Sequence, residues 1–297
     1  MQRIQRIFQS PTTIVIKIGT ALLADKTAGI NLRRIDALAR HVAQLRSLGH
    51  HVAIVSSGAI GAGVAALKLK ERPRTIPDKQ ATASIGQPLL MEAYINAFRA
   101  HNRIVSQILL TKDDFVNRTR YLNAKNTFTS LLRKGIVPII NENDTVAVEE
   151  IKLGDNDNLS AMVANLIEAD VLIILSDIDG LFSDDPSRDP DAVLIPVVEK
   201  ITPAVEKLAK GSGSELATGG MATKIQAAKR CVSSGIAMII ANGRNMDVLG
   251  HIVSGSFTGS IFLPSKRTLS VKKKWIGFIA HARGFLVVDD GARQALV

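Results

Sequence analysis

A chain of 297 residues that is 46% hydrophobic but only 4% aromatic, with apolar runs built from Ile, Val, Leu and Ala, has the makeup of sheets buried on both faces by helices. No window holds the ~18 uninterrupted apolar residues of a membrane span, and the opening MQRIQRIFQS lacks the apolar core of a secretion signal, so the cytoplasm is the expected compartment. The formal charge of +10 would suit nucleic acid, but +5 of it falls in residues 264–297 and +2 in the first ten, leaving +3 for the body of the chain.

Short β-branched runs then alternate with longer segments of helical period. TTIVIKI (12–18) reads as a strand, and a helix runs from Asn31, a good N-cap, to about Leu48, with Gly49 closing it. Next come the strand HVAIVSS (51–57), a helix over 78–101, the strand IVSQILL (104–110), a helix over 119–134 and the strand IVPIIN (136–141). A helix opens after Asp157, followed by the strand VLIILSD (171–177) and a hairpin around GLFSDDP and VLIPVVEK (180–200). A helix from Met221 to Ser234, the strand AMIIANG (237–243), a short helix and the strand GSIFLP (259–264) complete the pattern. Parallel strands need crossovers, and here each crossover is a helix. The expected fold is therefore α/β, a three-layer αβα sandwich with a mostly parallel central sheet. The lone Cys231 can form no internal disulfide, and its apolar helical stretch assigns it to core packing.

In such sheets ligands gather beyond the carboxyl ends of the strands. Six polar or Gly-rich clusters fall there: KIGT (17–20), SSGAIGAG (56–63), NEND (141–144), GDNDN (154–158), SDIDG (176–180) and TGGMATK (218–224). Any one Gly cluster could be a turn, but six in phase with the strands point to a site. SSGAIGAG leads from a strand into a helix, so Gly58 and Gly61 would let backbone amides approach an anion. No GxxxxGK[ST] loop occurs and the GxxGxG order fails the dinucleotide GxGxxG pattern, which argues against a P-loop NTPase and an NAD enzyme.

Lys17 lies within an apolar strand, where it needs a partner or an anionic ligand unless it snorkels to the surface. Lys224 stands in the first turn of a helix, the wrong end for a cation facing the helix dipole, so an anion there would compensate. Two lysines aimed at one phosphate suit phosphoryl transfer, which asks for alignment and positive charge more than covalent chemistry. Asp155 and Asp157 could be ordinary helix caps, yet Asp157 between the two lysines would hold both and keep them protonated. Asp144, Asn141 and Asn156 could instead grip the α-amino group of a substrate.

With INENDTV, KLGDNDNLSA, SDIDGLF, DDP and TGGMATKIQAA in matching order and spacing over roughly residues 12–263, the chain resembles the amino acid kinase family. The pairing of INEND with GDNDNLSA is similar to the branch that uses ATP to phosphorylate the γ-carboxylate of L-glutamate, the first step of proline biosynthesis. Relatives acting on acetylglutamate, aspartate, carbamate or uridylate keep the lysines and vary that pair. Phosphorylation of acetylglutamate or aspartate is thus one alternative, and an RNA-associated regulator that retains the fold is another.

The resemblance implies that Lys17 and Lys224 stabilise the phosphoryl group in flight while Asp157 organises them. Ser57, Gly58, Asp144, Asn156 and Asn141 would bind glutamate. Ser176 and Asp177, with Lys17 and the run Thr218, Gly219, Gly220, Met221, Ala222, Thr223, Lys224, would line the ATP site, Mg²⁺ being held chiefly by phosphate oxygens. It further implies competition by proline at the glutamate site, a homodimer or homotetramer, and coupling to glutamyl phosphate reductase. Residues 1–265 would form the kinase domain. Bacterial members add a C-terminal PUA domain, an RNA-binding fold, and residues 266–297 resemble its basic linker and opening strand and helix. That segment is too short to bury a stable core, so no nucleic-acid partner is expected.

Overall fold

Six of the β-branched runs pair side by side as parallel strands, and helices cover both faces of the resulting sheet. The computed structural model describes residues 2–25, 29–147, 155–186, 188–209 and 220–265, together with 289 and 291. The rest of the expected tail, 266–297, lies outside the described residues. In chain order the elements are α1 (Gln2–Ile7), β1 (Thr13–Ile18), α2 (Thr20–Leu23), β2 (Ala24–Asp25), β3 (Gly29–Ile30), α3 (Leu32–Ser47), β4 (His51–Ser56), α4 (Ala59–Ala66), α5 (Ile76–Arg99), β5 (Val105–Leu110) and α6 (Lys112–Val116). They continue as α7 (Arg118–Arg133), β6 (Val137–Glu142), α8 (Asn156–Leu166), β7 (Val171–Ser176), β8 (Val197–Val198), α9 (Pro203–Ala209), α10 (Met221–Ser233), β9 (Ala237–Asn242), α11 (Val248–Ser254) and β10 (Gly259–Phe262).

The main sheet has the order β5-β6-β4-β1-β7-β9-β10-β8, with β10 antiparallel to β9 and every other pair parallel. This is the mostly parallel αβα sandwich expected from the alternation of strands and helices. Strand β1 sits centrally, its Lys17 in register with Val55 of β4 and Ile174 of β7.

Side chains alternate across a strand, and that alternation sorts the core into two layers. Ile14, Ile16 and Ile18 pack with Leu38 and Val42 of α3, Tyr94 and Phe98 of α5, and Leu249 and Ile252 of α11. Val15 faces the other way, into Phe128 of α7, Leu159 and Val163 of α8, and Ala227 and Cys231 of α10. Each fully buried Ile, Leu or Val contributes roughly 1.5–3 kcal/mol by leaving water, so both faces are firmly held. Lys17 shares the parity of Val15, which directs its ammonium group toward α8 and α10. Burial raises the Cys231 thiol far above its ordinary pKa, as befits a packing residue.

Helix ends follow local chemistry. Asn31 accepts from Arg34 N at 3.1 Å to start α3, and Thr75 caps α5 two residues before Pro77. The segment 180–200 folds back as the short hairpin expected of it, Ser183 N donating to Val193 O at 2.9 Å and Ile195 N to Leu181 O at 2.7 Å. Phe182 and Leu194 form its antiparallel bridge, and beyond it Val197–Val198 join β10 as a parallel edge strand. Pro196 has no N–H to donate, so the antiparallel pairing ends there, whereas its carbonyl accepts from Ile261 N at 2.9 Å. Among the described residues no helix is long and apolar enough to cross a membrane.

Candidate active site

The carboxyl ends of β1, β4, β6 and β7 open into a cavity of about 330 Å³. All six polar clusters reach it: Lys17, Gly19 and Thr20; Ser57, Gly58 and Gly61; Asn141, Glu142 and Asp144; Asp155 and Asn156; Ser176 and Asp177; and Lys224. Doubly wound sheets gather ligands at this edge because successive loops there face one another.

Beneath the cavity lies a compact charge cluster. Asp157, in the first turn of α8, is fully buried, and its two oxygens face two cations. Lys17 Nζ is 2.5 Å from Oδ1 and Lys224 Nζ is 3.1 Å from Oδ2. Thr223 Oγ1 is 2.9 Å from the same Oδ2 and 2.7 Å from Gly220 O, so one hydroxyl proton serves either acceptor. Burial works to raise the Asp157 carboxyl, but the two lysines outweigh it and hold it below the ordinary carboxylate range. Asp155 N-caps α8, its Oδ1 accepting from Asn158 N at 3.0 Å. Burial and the neighbouring charge of Asp157 push the Asp155 carboxyl upward.

The other half of the site is built from amides and hydroxyls. Asn156 Nδ2 lies 2.8 Å from Ser57 Oγ, 3.0 Å from Ser56 O and 3.1 Å from Asn141 Oδ1, two hydrogens shared among three acceptors. Asn141 Oδ1 also accepts from Glu142 N at 2.9 Å. Gly58 begins α4 with φ of 112°, a left-handed conformation that glycine adopts without strain, and so turns the chain sharply after Ser57. Ser176 Oγ donates to Asp177 Oδ1 at 3.2 Å on the opposite wall.

The structure therefore brings Lys17, Lys224, Ser57, Gly58, Asn141, Asp144, Asn156, Ser176 and Asp177 to one cavity, with Asp157 under its floor. Gly220, Met221, Ala222 and Thr223 form the start of α10 beside it, Met221 half-buried against the α8 layer and Ala222 exposed. Thr218 and Gly219 lie outside the described residues. Sequence reasoning passed over Arg72 and Glu142, which also line the cavity. Glu142 stands inside the NEND run and was within reach; Arg72 comes from a basic surface loop with no distinguishing signal.

A model of the amino acid kinase family matches residues 12–242, and the chain belongs to that family. Within it, the chain is 52% identical over 284 residues to a glutamate 5-kinase of Caldanaerobacter subterraneus subsp. tengcongensis, covering 96% of this chain and 76% of the relative. A glutamate 5-kinase of Citrifermentans bemidjiense is 50% identical, over 95% of this chain and 76% of the relative. Among solved structures the fold is similar to carbamate kinase from Giardia lamblia, with a TM-score of 0.61, 17% identity and coverage of 86% of this chain and 99% of that one. An isopentenyl phosphate kinase substrate complex is similar with a TM-score of 0.57, 20% identity and coverage of 84% and 99%.

Proposed function

We propose that the protein transfers the γ-phosphoryl group of ATP to the γ-carboxylate of L-glutamate, yielding ADP and γ-glutamyl phosphate. The observation that carries this reading is the pair of ammonium groups, Lys17 and Lys224, gathered by buried Asp157 at the floor of the cavity. Similarity to glutamate 5-kinases over nearly the whole chain supports the choice of acceptor.

In the proposed reaction a γ-carboxylate oxygen attacks the γ-phosphorus while the bond to the bridging oxygen breaks and ADP leaves with that electron pair. A glutamate side chain with an ordinary pKa of about 4.3 is already ionised at neutral pH, so this acceptor needs no general base. What the reaction does need is positive charge where it accumulates, on the equatorial and bridging oxygens. Lys17 and Lys224 supply it, and Asp157 holds both in place. Asp144 takes the α-ammonium group, while Ser57, Gly58, Asn141 and Asn156 hold the rest of the amino acid. Ser176, Asp177 and the run from Thr218 to Lys224 take the nucleotide. Among the described residues no three acidic side chains converge to hold a metal, so Mg²⁺ would enter with ATP, held chiefly by phosphate oxygens, where it would offset their charge.

The same reading makes proline a competitor at the glutamate half of the site and makes the labile acyl phosphate a product for glutamyl phosphate reductase. It takes the enzyme to be a cytoplasmic homodimer or homotetramer whose working unit is residues 1–265, residues 266–297 being dispensable for turnover. ATP consumption with L-glutamate, N-acetyl-L-glutamate and L-aspartate, run with hydroxylamine to trap an acyl phosphate, tests the reaction. Glutamate-dependent ADP release with matching γ-glutamyl hydroxamate is expected. Faster turnover on either other acid, or salt-sensitive RNA binding without ATP turnover, would overturn it.

A further inference from the structure

We infer that α5 carries a stripe of positioning residues, Gln80, Gln87 and Tyr94, that sets the geometry of the substrate half of the cavity, with Gln87 at its centre. The inference rests on the reading above that Asn141, Asn156 and Ser57 hold the amino acid. Seven residues are nearly two helical turns, so 80, 87 and 94 share one face of α5 over about 21 Å. Each reaches a different segment of the site. Gln80 Nε2 donates to Ala147 O at 3.1 Å, in the loop after β6. Gln87 Oε1 accepts from Asn141 Nδ2 at 2.9 Å, on β6 itself. Tyr94 Oη is 2.9 Å from Ser56 Oγ, at the end of β4.

Gln87 and Tyr94 are buried, surrounded on α5 by Ala83, Leu90, Met91, Ala97 and Phe98. A polar side chain in such a place costs free energy unless it is paired, and an aliphatic one would pack without that cost. Their pairing has a direction. By accepting from Asn141 Nδ2, Gln87 fixes which end of that amide faces the cavity, leaving Oδ1 for Asn156 Nδ2 and Glu142 N. Asn156 in turn reaches Ser57 Oγ, so one acceptor on α5 orients three side chains in series. Tyr94 acts on the same loop from below, since Ser56 Oγ donates to Ser57 O at 3.0 Å.

A positioning helix must itself be fixed, and α5 is docked against α4 at backbone distance. A Cβ on Gly86 would lie 1.8 Å from Ala59 O, and one on Gly63 would lie 2.0 Å from Thr82 O. These contacts tie α5 to the helix that Gly58 begins.

Steady-state kinetics of the full chain test the assignment. Gln87→Met keeps the side-chain length and removes the acceptor, and it raises the L-glutamate KM about tenfold, the scale of one lost buried hydrogen bond. The ATP KM stays within about twofold, because the charge cluster is untouched. Gln87→Glu, which retains an acceptor oxygen, recovers most of the glutamate KM. Tyr94→Phe keeps the ring and its packing, and moves the glutamate KM in the same direction by about threefold. A merely structural role would lower Tm and leave the two KM values in their original ratio, so an unchanged ratio in both Gln87→Met and Tyr94→Phe overturns the positioning role. Absence of glutamate-dependent turnover in the unmodified protein overturns the proposed reaction and this inference with it.

Discussion

Replacing Asp157 with Asn tests the centre of the site with almost no change in shape. The substitution removes the negative charge that Lys17 meets at 2.5 Å and Lys224 at 3.1 Å, in a position with no solvent exposure. Breaking a buried pair by deleting one partner costs about 3–5 kcal/mol, because the remaining charge is left uncompensated. At about 2 °C per kcal/mol for a protein of this size, Tm should fall by about 6–10 °C. The lysines also lose the anion that aims them, and a misdirected ammonium group stabilises transition-state charge poorly. We therefore expect kcat to drop about 10²–10³-fold at pH 8, the scale of one lost electrostatic donor. Stability should change in a matching way. The folded-state pKa of Asp157 lies below its ordinary value of 3.8, so its stabilising effect is present above that value and disappears as pH falls through the folded pKa. The variant should lack this acid-side loss. Coupled ATPase assays across pH 6–9 and calorimetry across pH 2–7 check both halves. A kcat within about threefold of the parent, with Tm unchanged, would refute the reasoning, since no missing 1.36 kcal/mol per decade could then be assigned to the cluster.

Lys224→Met should lower kcat by about 10²-fold while the protein stays folded, as measured by turnover and circular dichroism, because the side chain's bulk is kept and only the cation is lost. Gly86→Ala should lower Tm by at least the equivalent of about 1–3 kcal/mol, read by calorimetry, since its methyl group would meet Ala59 O at 1.8 Å and force α4 and α5 apart. Asp144→Asn should raise the glutamate KM about tenfold yet tighten ATP binding measured without glutamate, by about threefold, as one negative charge leaves the cavity wall.

The charge cluster was legible in the sequence because each member is out of keeping with its surroundings. Lys17 interrupts an apolar strand and Lys224 sits at the positive end of a helix, so the neighbours of each along the chain are enough to require an anion nearby. The strands and their order of appearance were legible for the opposite reason, that β-branched runs and capping residues agree with one another at every step. Gln87 and Tyr94 offered no such conflict. Glutamine is an ordinary residue on a helix, and its partner Asn141 is 54 positions away, so only the seven-residue interval of Gln80, Gln87 and Tyr94 hinted at a shared face. The edge strand β8 was hidden in another way. Two residues carry no periodicity, and their pairing is decided by which neighbours the prolines leave able to bond.

The opposite responses expected of Asp144→Asn follow from the charge balance of the cavity. Among the described residues, Glu142, Asp144, Asp155 and Asp177 line it against the cations Lys17, Lys224 and Arg72. Both lysines also face Asp157, so much of their charge is already answered. A triphosphate entering alone would meet carboxylates that the bound lysines do not offset. The α-ammonium group of L-glutamate would answer a carboxylate on that wall, so under the proposed reading Asp144 favours the amino acid while it disfavours bare nucleotide.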